Sequence, residues 1–299
     1  MVLKHKTYSA LIALSLMVPV AAYAAENAEM AHEVGVPAAP SEDVESTSEE
    51  AAGTSTTTTA DEGAHDHAAA GEHKLAHQKW SFDGVFGTYD RASLQRGFQV
   101  YKEVCSACHS MNLVSYRNLA DLGYSEAEIK AIAADVQVPD GPNDEGEMFE
   151  RPGKPSDHFK APYANIQAAK YANGGAYPPD MSLLVKAREG GPDYIYGILT
   201  GYTEAPAGKE LLDGQHWNTA MHGNTIAMPP PLTDGRVAYG DNAPQTVDQY
   251  AHDVSAFLAW ASEPHMEERK RTGVKVFLFL FVLTGVLFGV KRKVWANAH

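Results

Sequence analysis

The 299-residue chain is poor in cysteine and in long apolar runs. Its two cysteines are too few for a scaffold held together by several disulfides. One long apolar run lies near the C-terminus, and the only other run is short and N-terminal, which excludes a membrane protein with many spans. Charged residues make up 21%, glycine and proline number 25 and 17, and these values exclude collagen-like, coiled-coil or wholly disordered chains.

Charge of one sign is missing from two long segments. Residues 25–73 carry 12 acidic residues and no Lys or Arg, whereas residues 269–299 carry seven basic residues and no acidic one. The intervening residues 74–268 contain 15 basic and 26 acidic residues, a net charge of −11. An acidic domain repels the phosphate backbone, so we expect no nucleic-acid partner and a basic protein partner instead.

The first 24 residues have the pattern of a secretory signal peptide. Lys4 and Lys6 precede an apolar run at 11–20, and Ala22-Tyr23-Ala24 has the small-x-small form of a cleavage site. A membrane anchor is the alternative, but this run is shorter than the roughly 20 residues that a span requires. We therefore expect export of the mature chain to an oxidising compartment.

Residues 25–78 contain no aromatic residue and few large aliphatic ones. Because such a segment buries too little apolar surface to offset its ordering entropy, we expect it to be acidic and disordered. Several histidines occur in it, but their spacing fixes no metal geometry, which favours a solvated tail over a metal site.

Residues 79–268 have the composition of a folded domain of the all-α class. Leu94, Phe98 and Tyr101 are spaced as on one face of a helix that begins near Asp90. Further helices are predicted at 125–134, 165–173, 180–189, 193–200 and 250–261. Residues 138–161 and 202–245 are predicted to be loops, and we find no strand pattern of useful length.

Residues 269–291 are predicted to be a transmembrane anchor with basic flanks, followed by a cytoplasmic tail at 292–299. Residues 272–290 contain one charge, Lys275, and would span about 28 Å as a helix. A buried core helix is the alternative, but it would have to bury the flanking charges. The basic flanks on both sides leave the orientation open. The signal peptide decides it, and we expect a bacterial inner membrane with the domain in the periplasm and the C-terminus in the cytoplasm.

Cys105-Ser106-Ala107-Cys108-His109 has the spacing of a c-type haem attachment motif. The two thiols would add to the haem vinyl groups, and His109 would donate an axial nitrogen to the iron. A thioredoxin-like redox pair would need a βαβ context, and a zinc site would need further soft ligands. The motif therefore predicts one covalently bound haem c.

A sixth ligand is sought among the methionines 111, 148, 181, 221, 228 and 266. Met228 precedes Pro229-Pro230-Pro231, and three fixed φ angles would stiffen the loop that holds its thioether. Packing in the core is the alternative for any one of these methionines. Met181 lies within a helical stripe and Met266 at the membrane edge, which favours structural roles for both.

Residues 80–295 resemble the cytochrome c1 family, the membrane-anchored haem subunits of cytochrome bc1 complexes. The resemblance is carried by residues 96–111 (RGFQVYKEVCSACHSM), 140–143 (DGPN), 146–149 (GEMF), 151–154 (RPGK), 178–182 (PPDMS), 199–202 (LTGY), 227–230 (AMPP) and the C-terminal anchor. It implies a cytochrome c-like domain with long loops, tethered by one transmembrane helix. It also implies His109 and Met228 as the axial iron ligands.

The same resemblance implies further haem contacts. Arg188 matches an arginine that pairs with a haem propionate, and Asn173, Tyr163 and Tyr194 match positions that line or hydrogen-bond the haem. A cation at a helix C-terminus is the alternative for Arg188, and packing is the alternative for the two tyrosines.

The function that the resemblance implies is one-electron transfer within a respiratory bc1 complex. The haem would accept an electron from a Rieske iron–sulfur protein and pass it to a soluble or membrane-anchored cytochrome c, beside cytochrome b and membrane lipid. The chain itself would transform no substrate, whereas the complex would be a quinol–cytochrome c oxidoreductase. A stand-alone tethered shuttle to a terminal oxidase is one alternative. A haem gas sensor or peroxidase, which needs an open iron face, is another.

Overall fold

The computed structural model describes residues 75–297, so the expected signal peptide and most of the expected acidic segment lie outside the described residues. Helices predominate: α1 (Arg91–Glu103), α2 (Glu126–Ala134), α3 (Ile166–Ala172), α4 (Pro192–Thr200), α5 (Val247–Ser262) and α6 (Met266–Val294). Two antiparallel pairs of short strands are β1 (Gln137–Asp140) with β2 (Phe149–Pro152) and β3 (His216–Trp217) with β4 (Thr225–Ile226). The mostly helical architecture confirms the predicted fold class.

Helices α1 and α5 cross at the centre of the domain. The Asp90 carboxylate caps α1 by accepting a hydrogen bond from the Ala92 N–H at 3.0 Å. At Gly97, a Cβ atom would lie 2.1 Å from the Asp253 carbonyl oxygen and 2.7 Å from Cβ of Phe257. The absence of a side chain at Gly97 therefore permits the close approach of the two helices.

An aromatic core lies against this crossing. Phe98 and Tyr101 of α1 contact Phe257 of α5, with ring centroids 5.7 and 5.8 Å apart, and both also contact Phe159. Such ring pairs stabilise a core beyond the area that they bury. Cys105, two residues after the end of α1, belongs to the same buried cluster, so the haem motif starts at the core of the domain.

A buried carboxylate joins the same two helices. Asp253 is fully buried, and Arg96 of α1 donates to its two oxygens at 2.7 and 3.1 Å. Ser93 and Gln249 donate to it as well, at 2.7 and 3.0 Å. Burial raises the pKa of Asp253, but hydrogen bonds, led by those from His252 and Arg96, outweigh burial and lower it to about 2.

The expected helix at 180–189 is wrong, since these residues form a series of turns. Its first N–H groups are used elsewhere: the Met181 N–H donates to the Ser110 carbonyl at 2.8 Å, and the Ser182 N–H donates to the Asp180 carboxylate at 2.9 Å. These bonds fix only the start of the segment, and after it the N–H groups form single turns, such as the one closed by the Ala187 N–H and the Leu183 carbonyl at 3.0 Å.

The two segments predicted as loops contain strand pairs that sequence analysis missed. In the 138–161 segment β1 pairs with β2, and Arg151 of β2 holds the carboxylates of Asp140 and Asp157. In the 202–245 segment β3 pairs with β4. Strands of four and two residues are too short to show an alternating pattern.

His77 and Gln78, just before the expected domain, contact the start of α4. Asp193, at the start of α4, accepts hydrogen bonds from the Gln78 N–H at 3.0 Å and from Trp80 Nε1 at 2.7 Å, and it lies 2.6 Å from His77 Nδ1. Residues 77 and 78, just before the expected boundary at 79, thus contact the domain.

Helix α6 follows α5 after three residues and is mostly exposed in the chain alone. Its apolar section has a mean hydropathy of 2.3, and it is the one helix within residues 75–297 that is long and apolar enough to cross a membrane. At its start, Glu263 accepts a hydrogen bond from Arg269 at 2.5 Å and lies 3.5 Å from Lys186 Nζ. These contacts fasten the helix to the domain.

Candidate haem site

The two cysteines and the histidine of the motif lie on one compact turn. After α1 ends at Glu103, a 3₁₀ turn spans Cys105–Ala107. The N–H groups of Cys108 and His109 both donate to the Cys105 carbonyl, at 3.1 and 2.9 Å. Cys105 is buried, Cys108 is exposed, and no disulfide joins them. The turn presents two thiols and an imidazole within five residues, as covalent attachment of a haem requires.

Burial of Cys105 bears on the redox alternative. It raises the pKa of the thiol to about 12, whereas a redox-active cysteine needs a thiolate. Within residues 75–297, no group of three His, Cys, Asp or Glu side chains is placed to hold a metal ion.

The His109 imidazole is oriented for ligation through one nitrogen. Its Nδ1 lies 2.8 Å from the Pro179 carbonyl oxygen, and burial lowers the pKa of the ring, which favours the neutral form. An Nδ1–H donated to this carbonyl leaves the lone pair on Nε2, which has no hydrogen-bond partner within residues 75–297. A carbonyl on the second nitrogen is the usual way in which a protein orients a histidine ligand.

Asp180 braces the loop that carries this carbonyl. One of its oxygens accepts hydrogen bonds from Ser110 Oγ and from the Asn112 N–H, both at 2.9 Å. Burial raises the pKa of Asp180, but hydrogen bonds from Ser182, Asn112 and Ser110 outweigh it and hold the pKa below its usual value. Sequence analysis did not single out Asp180, although its position directly after two prolines was a signal for an ordered turn.

Met228 is half-buried and packs against the core. Its carbonyl accepts a hydrogen bond from the Tyr202 hydroxyl at 3.0 Å, and three prolines follow it. By contrast, Met111, Met181 and Met266 are buried within the hydrophobic core, as expected for packing residues. Met148 is 67% exposed and Met221 is half-buried, so burial excludes the three core methionines but does not by itself choose among Met148, Met221 and Met228.

The remaining predicted site residues form two separate contacts. Asn173 Nδ2 donates to the Tyr163 hydroxyl at 3.1 Å, and the Tyr194 hydroxyl lies 3.4 Å from Met221 Sδ. Neither contact includes His109 or Met228, so the described hydrogen bonds do not join these residues to the two candidate ligands.

Arg188 is exposed, and its one hydrogen bond goes to the neighbouring Ala187 carbonyl at 3.0 Å. It makes no ion pair with a carboxylate within residues 75–297, and it follows turns rather than a helix, so the helix-end alternative lacks its helix.

Comparison with known proteins decides the family. The profile described as the Cytochrome C1 family matches residues 80–298. The chain belongs to the cytochrome c1 family. Proteins of this family are haem proteins, and the resemblance inferred from sequence is confirmed.

The relatives extend over most of the chain. It is 48% identical over 239 residues to cytochrome c1 of Rhodospirillum rubrum, which covers 75% of this chain and 88% of that one. It is 52% identical over 218 residues to a mitochondrial cytochrome c1 heme protein of Arabidopsis thaliana, covering 73% and 71%. It is 48% identical over 251 residues to cytochrome b/c1 of Bradyrhizobium diazoefficiens, covering 77% of this chain but only 36% of that longer protein.

Proposed function

We propose that this chain carries one haem c, bound through Cys105 and Cys108, and acts as the electron-transfer subunit of a bc1 complex. The observation that carries the proposal is the turn at 105–109, with His109 Nδ1 held 2.8 Å from the Pro179 carbonyl. The bound haem would supply a one-electron iron couple. Family membership supports this cofactor, since members are haem proteins.

The protein residues would bind and tune that group. His109 and Met228 would hold the iron, and a neutral thioether would favour its ferrous state, which gives a relatively high potential. The Pro179 carbonyl orients His109, and Tyr202 with the three prolines holds the backbone of Met228. Arg188 supplies an unpaired cation for a propionate.

Asn173, Tyr163 and Tyr194 are proposed to line the haem. The hydrogen bond between Asn173 and Tyr163 would keep the two side chains in fixed positions at its edge.

The proposed partners follow from charge, anchor and relatives. A Rieske iron–sulfur protein would deliver the electron and a cytochrome c would receive it; the net charge of −11 over residues 74–268 supports a basic acceptor. The name cytochrome b/c1 of the Bradyrhizobium relative supports cytochrome b as a neighbour. Helix α6 supports a single-pass anchor. The signal-peptide pattern of residues 1–24 supports a bacterial cell membrane with the domain in the periplasm and the C-terminus in the cytoplasm.

The test is purification in a mild detergent, followed by absorption spectroscopy and acid–acetone extraction. A covalent haem c stays with the polypeptide after extraction, and replacing Cys105 and Cys108 by Ala should release it. Co-purification of b-type haem supports a complex subunit, whereas its absence under conditions that preserve assembly would favour the stand-alone shuttle.

A further inference from the structure

A short loop beside the start of α6 exposes two large apolar side chains. The loop is closed by a hydrogen bond of 3.1 Å from the Thr88 N–H to the Ser81 carbonyl. At its tip, Val85 is 63% exposed and Phe86 is 83% exposed. The folded domain leaves both side chains uncovered, and the candidate haem site uses neither.

Contacts with α6 show where the loop is held. The Tyr89 N–H donates to the Glu267 carboxylate at 2.7 Å. Three residues farther along α6, Lys270 Nζ donates to the carbonyls of Phe82 and Gly87, at 2.6 and 3.2 Å. Lys270 therefore binds both ends of the segment that carries Val85 and Phe86.

The apolar section of α6 begins at the same level. Thr272 lies about 3 Å beyond Lys270 along the helix axis, and from there to Val290 the only charge is Lys275. Residues 269–271 are Arg, Lys and Arg, which suit the depth of the lipid phosphates. The residue that holds the loop therefore lies two positions before the apolar section of α6.

We propose that the loop 82–87, held by Lys270, is a second membrane contact that places Val85 and Phe86 in the interfacial layer of the bilayer. An aromatic and a β-branched side chain at this depth bury themselves between headgroups and acyl chains. This inference rests on α6 crossing the bilayer and is independent of the haem ligands.

The haem-loaded chain is reconstituted into vesicles of phosphatidylcholine and phosphatidylglycerol for the test. A bimane label is attached to Phe86→Cys, and its emission is compared between vesicles with and without lipids that carry a nitroxide near the headgroup. We expect the nitroxide to lower the emission about twofold, as for a group about 5–10 Å deep in the interface. The parent chain should take up no label, because Cys105 and Cys108 would be bonded to haem.

Two labelled controls separate the loop from the anchor. Tyr171→Cys, at a position 92% exposed in α3, should show no nitroxide effect. Phe281→Cys, within α6, should be quenched by a nitroxide deep in the acyl chains. If Phe281→Cys is quenched while Phe86→Cys behaves like Tyr171→Cys, the anchor is correct and the loop proposal is wrong, leaving a protein partner for the tip. If neither is quenched, both the anchor and the loop contact are overturned.

A variant of the tether tests the role of Lys270. In the Phe86→Cys background, Lys270→Met removes the two hydrogen bonds to the loop and keeps a long apolar side chain. The nitroxide effect should weaken. An unchanged effect would contradict the tether through Lys270.

Discussion

The two sides of the candidate haem site are held in different ways. On the histidine side, Asp180 ties together the loops around His109, and the turn continues directly into α1, which crosses α5. On the methionine side, Met228 lies in a loop braced by the Tyr202 hydroxyl and by three prolines. His109 is therefore positioned by contacts with the folded core, whereas the backbone of Met228 is positioned by one hydrogen bond and by the stiffness of the proline-containing loop.

The largest expected loss of stability comes from breaking the buried ion pair between α1 and α5, the helices behind the histidine side. Asp253→Asn leaves the guanidinium of Arg96 without its buried charge partner, and we expect the free energy of unfolding to fall by about 3–5 kcal/mol. Chemical denaturation of the haem-loaded protein measures this free energy. Asp241→Asn removes an exposed partner of the same arginine and should cost less than about 1 kcal/mol. Equal losses would show that burial does not distinguish the two ion pairs.

On the methionine side, Met228→Leu should keep the fold and change the iron chemistry. Leucine has a similar volume but no thioether. If the relative affinity for the two iron states changes about a hundredfold, the potential drops by about 120 mV, at about 59 mV for each factor of ten. Reduced protein should also begin to bind carbon monoxide. Met181→Leu, in the buried core, should do neither. An unchanged potential in Met228→Leu would overturn the ligand assignment.

The buried Asp253 carboxylate between α1 and α5 should also make the stability of the protein depend on acid pH. The pKa of Asp253 is about 2 in the folded protein, below the value of about 3.9 in an unfolded chain. Its contribution to stability, about 2 kcal/mol, is therefore fully present above about pH 4 and is lost as the pH falls towards 2. Denaturation between pH 2 and 6 should show a flatter profile for Asp253→Asn. A parallel profile would exclude Asp253 as the titrating group.

Asp180→Asn is expected to change the reduction potential less than Met228→Leu does, and in the opposite direction. It removes a negative charge near His109 and the acceptor of two hydrogen bonds, so stability should fall by about 1–2 kcal/mol. The potential should rise rather than drop, because ferric iron loses a stabilising charge. Ser110→Ala breaks one of these hydrogen bonds without changing charge and should leave the potential nearly constant. A drop in Asp180→Asn would mean that loosening of His109 dominates.

Tyr202→Phe is expected to have the smallest effect, a modest increase in the rate at which Met228 is displaced from the iron. It removes one hydrogen bond to the Met228 carbonyl, worth about 0.5–1.5 kcal/mol, and leaves the prolines in place. Added imidazole should then displace the methionine from ferric iron a few times faster, as stopped-flow absorption would record. Tyr196→Phe, which removes a hydroxyl that donates to Asp248, is the matched control. Equal rates in all three proteins would assign the stiffness of the loop to the prolines alone.

Local signals account for what sequence analysis predicted correctly. Ser125 and Glu128 form the expected capping box at the start of α2, and Asp90 caps α1. The haem motif is contiguous, so its five residues needed no knowledge of the fold.

The features that were missed depend on residues far apart in the chain. Asp180 meets the loop after His109 across about 70 positions, and Asp253 meets Arg96 across 157. Nothing local marks such pairs, because each partner alone has the pattern of an ordinary exposed charge. In the wrong helix at 180–189, the Met181 N–H is likewise bonded to a distant residue, Ser110, which no local pattern marks.

The three-residue connection between α5 and α6 has a consequence for how partners meet this protein. The bonds from Arg269 to Glu263 and from Tyr89 to Glu267 tie the domain to the start of α6. In the proposed function, a redox partner confined to the membrane plane would search for the haem in two dimensions and from a restricted range of angles. Encounter would then depend less on diffusion in solution than on lateral density, and part of the orientation that a free protein must find by rotation would be set in advance.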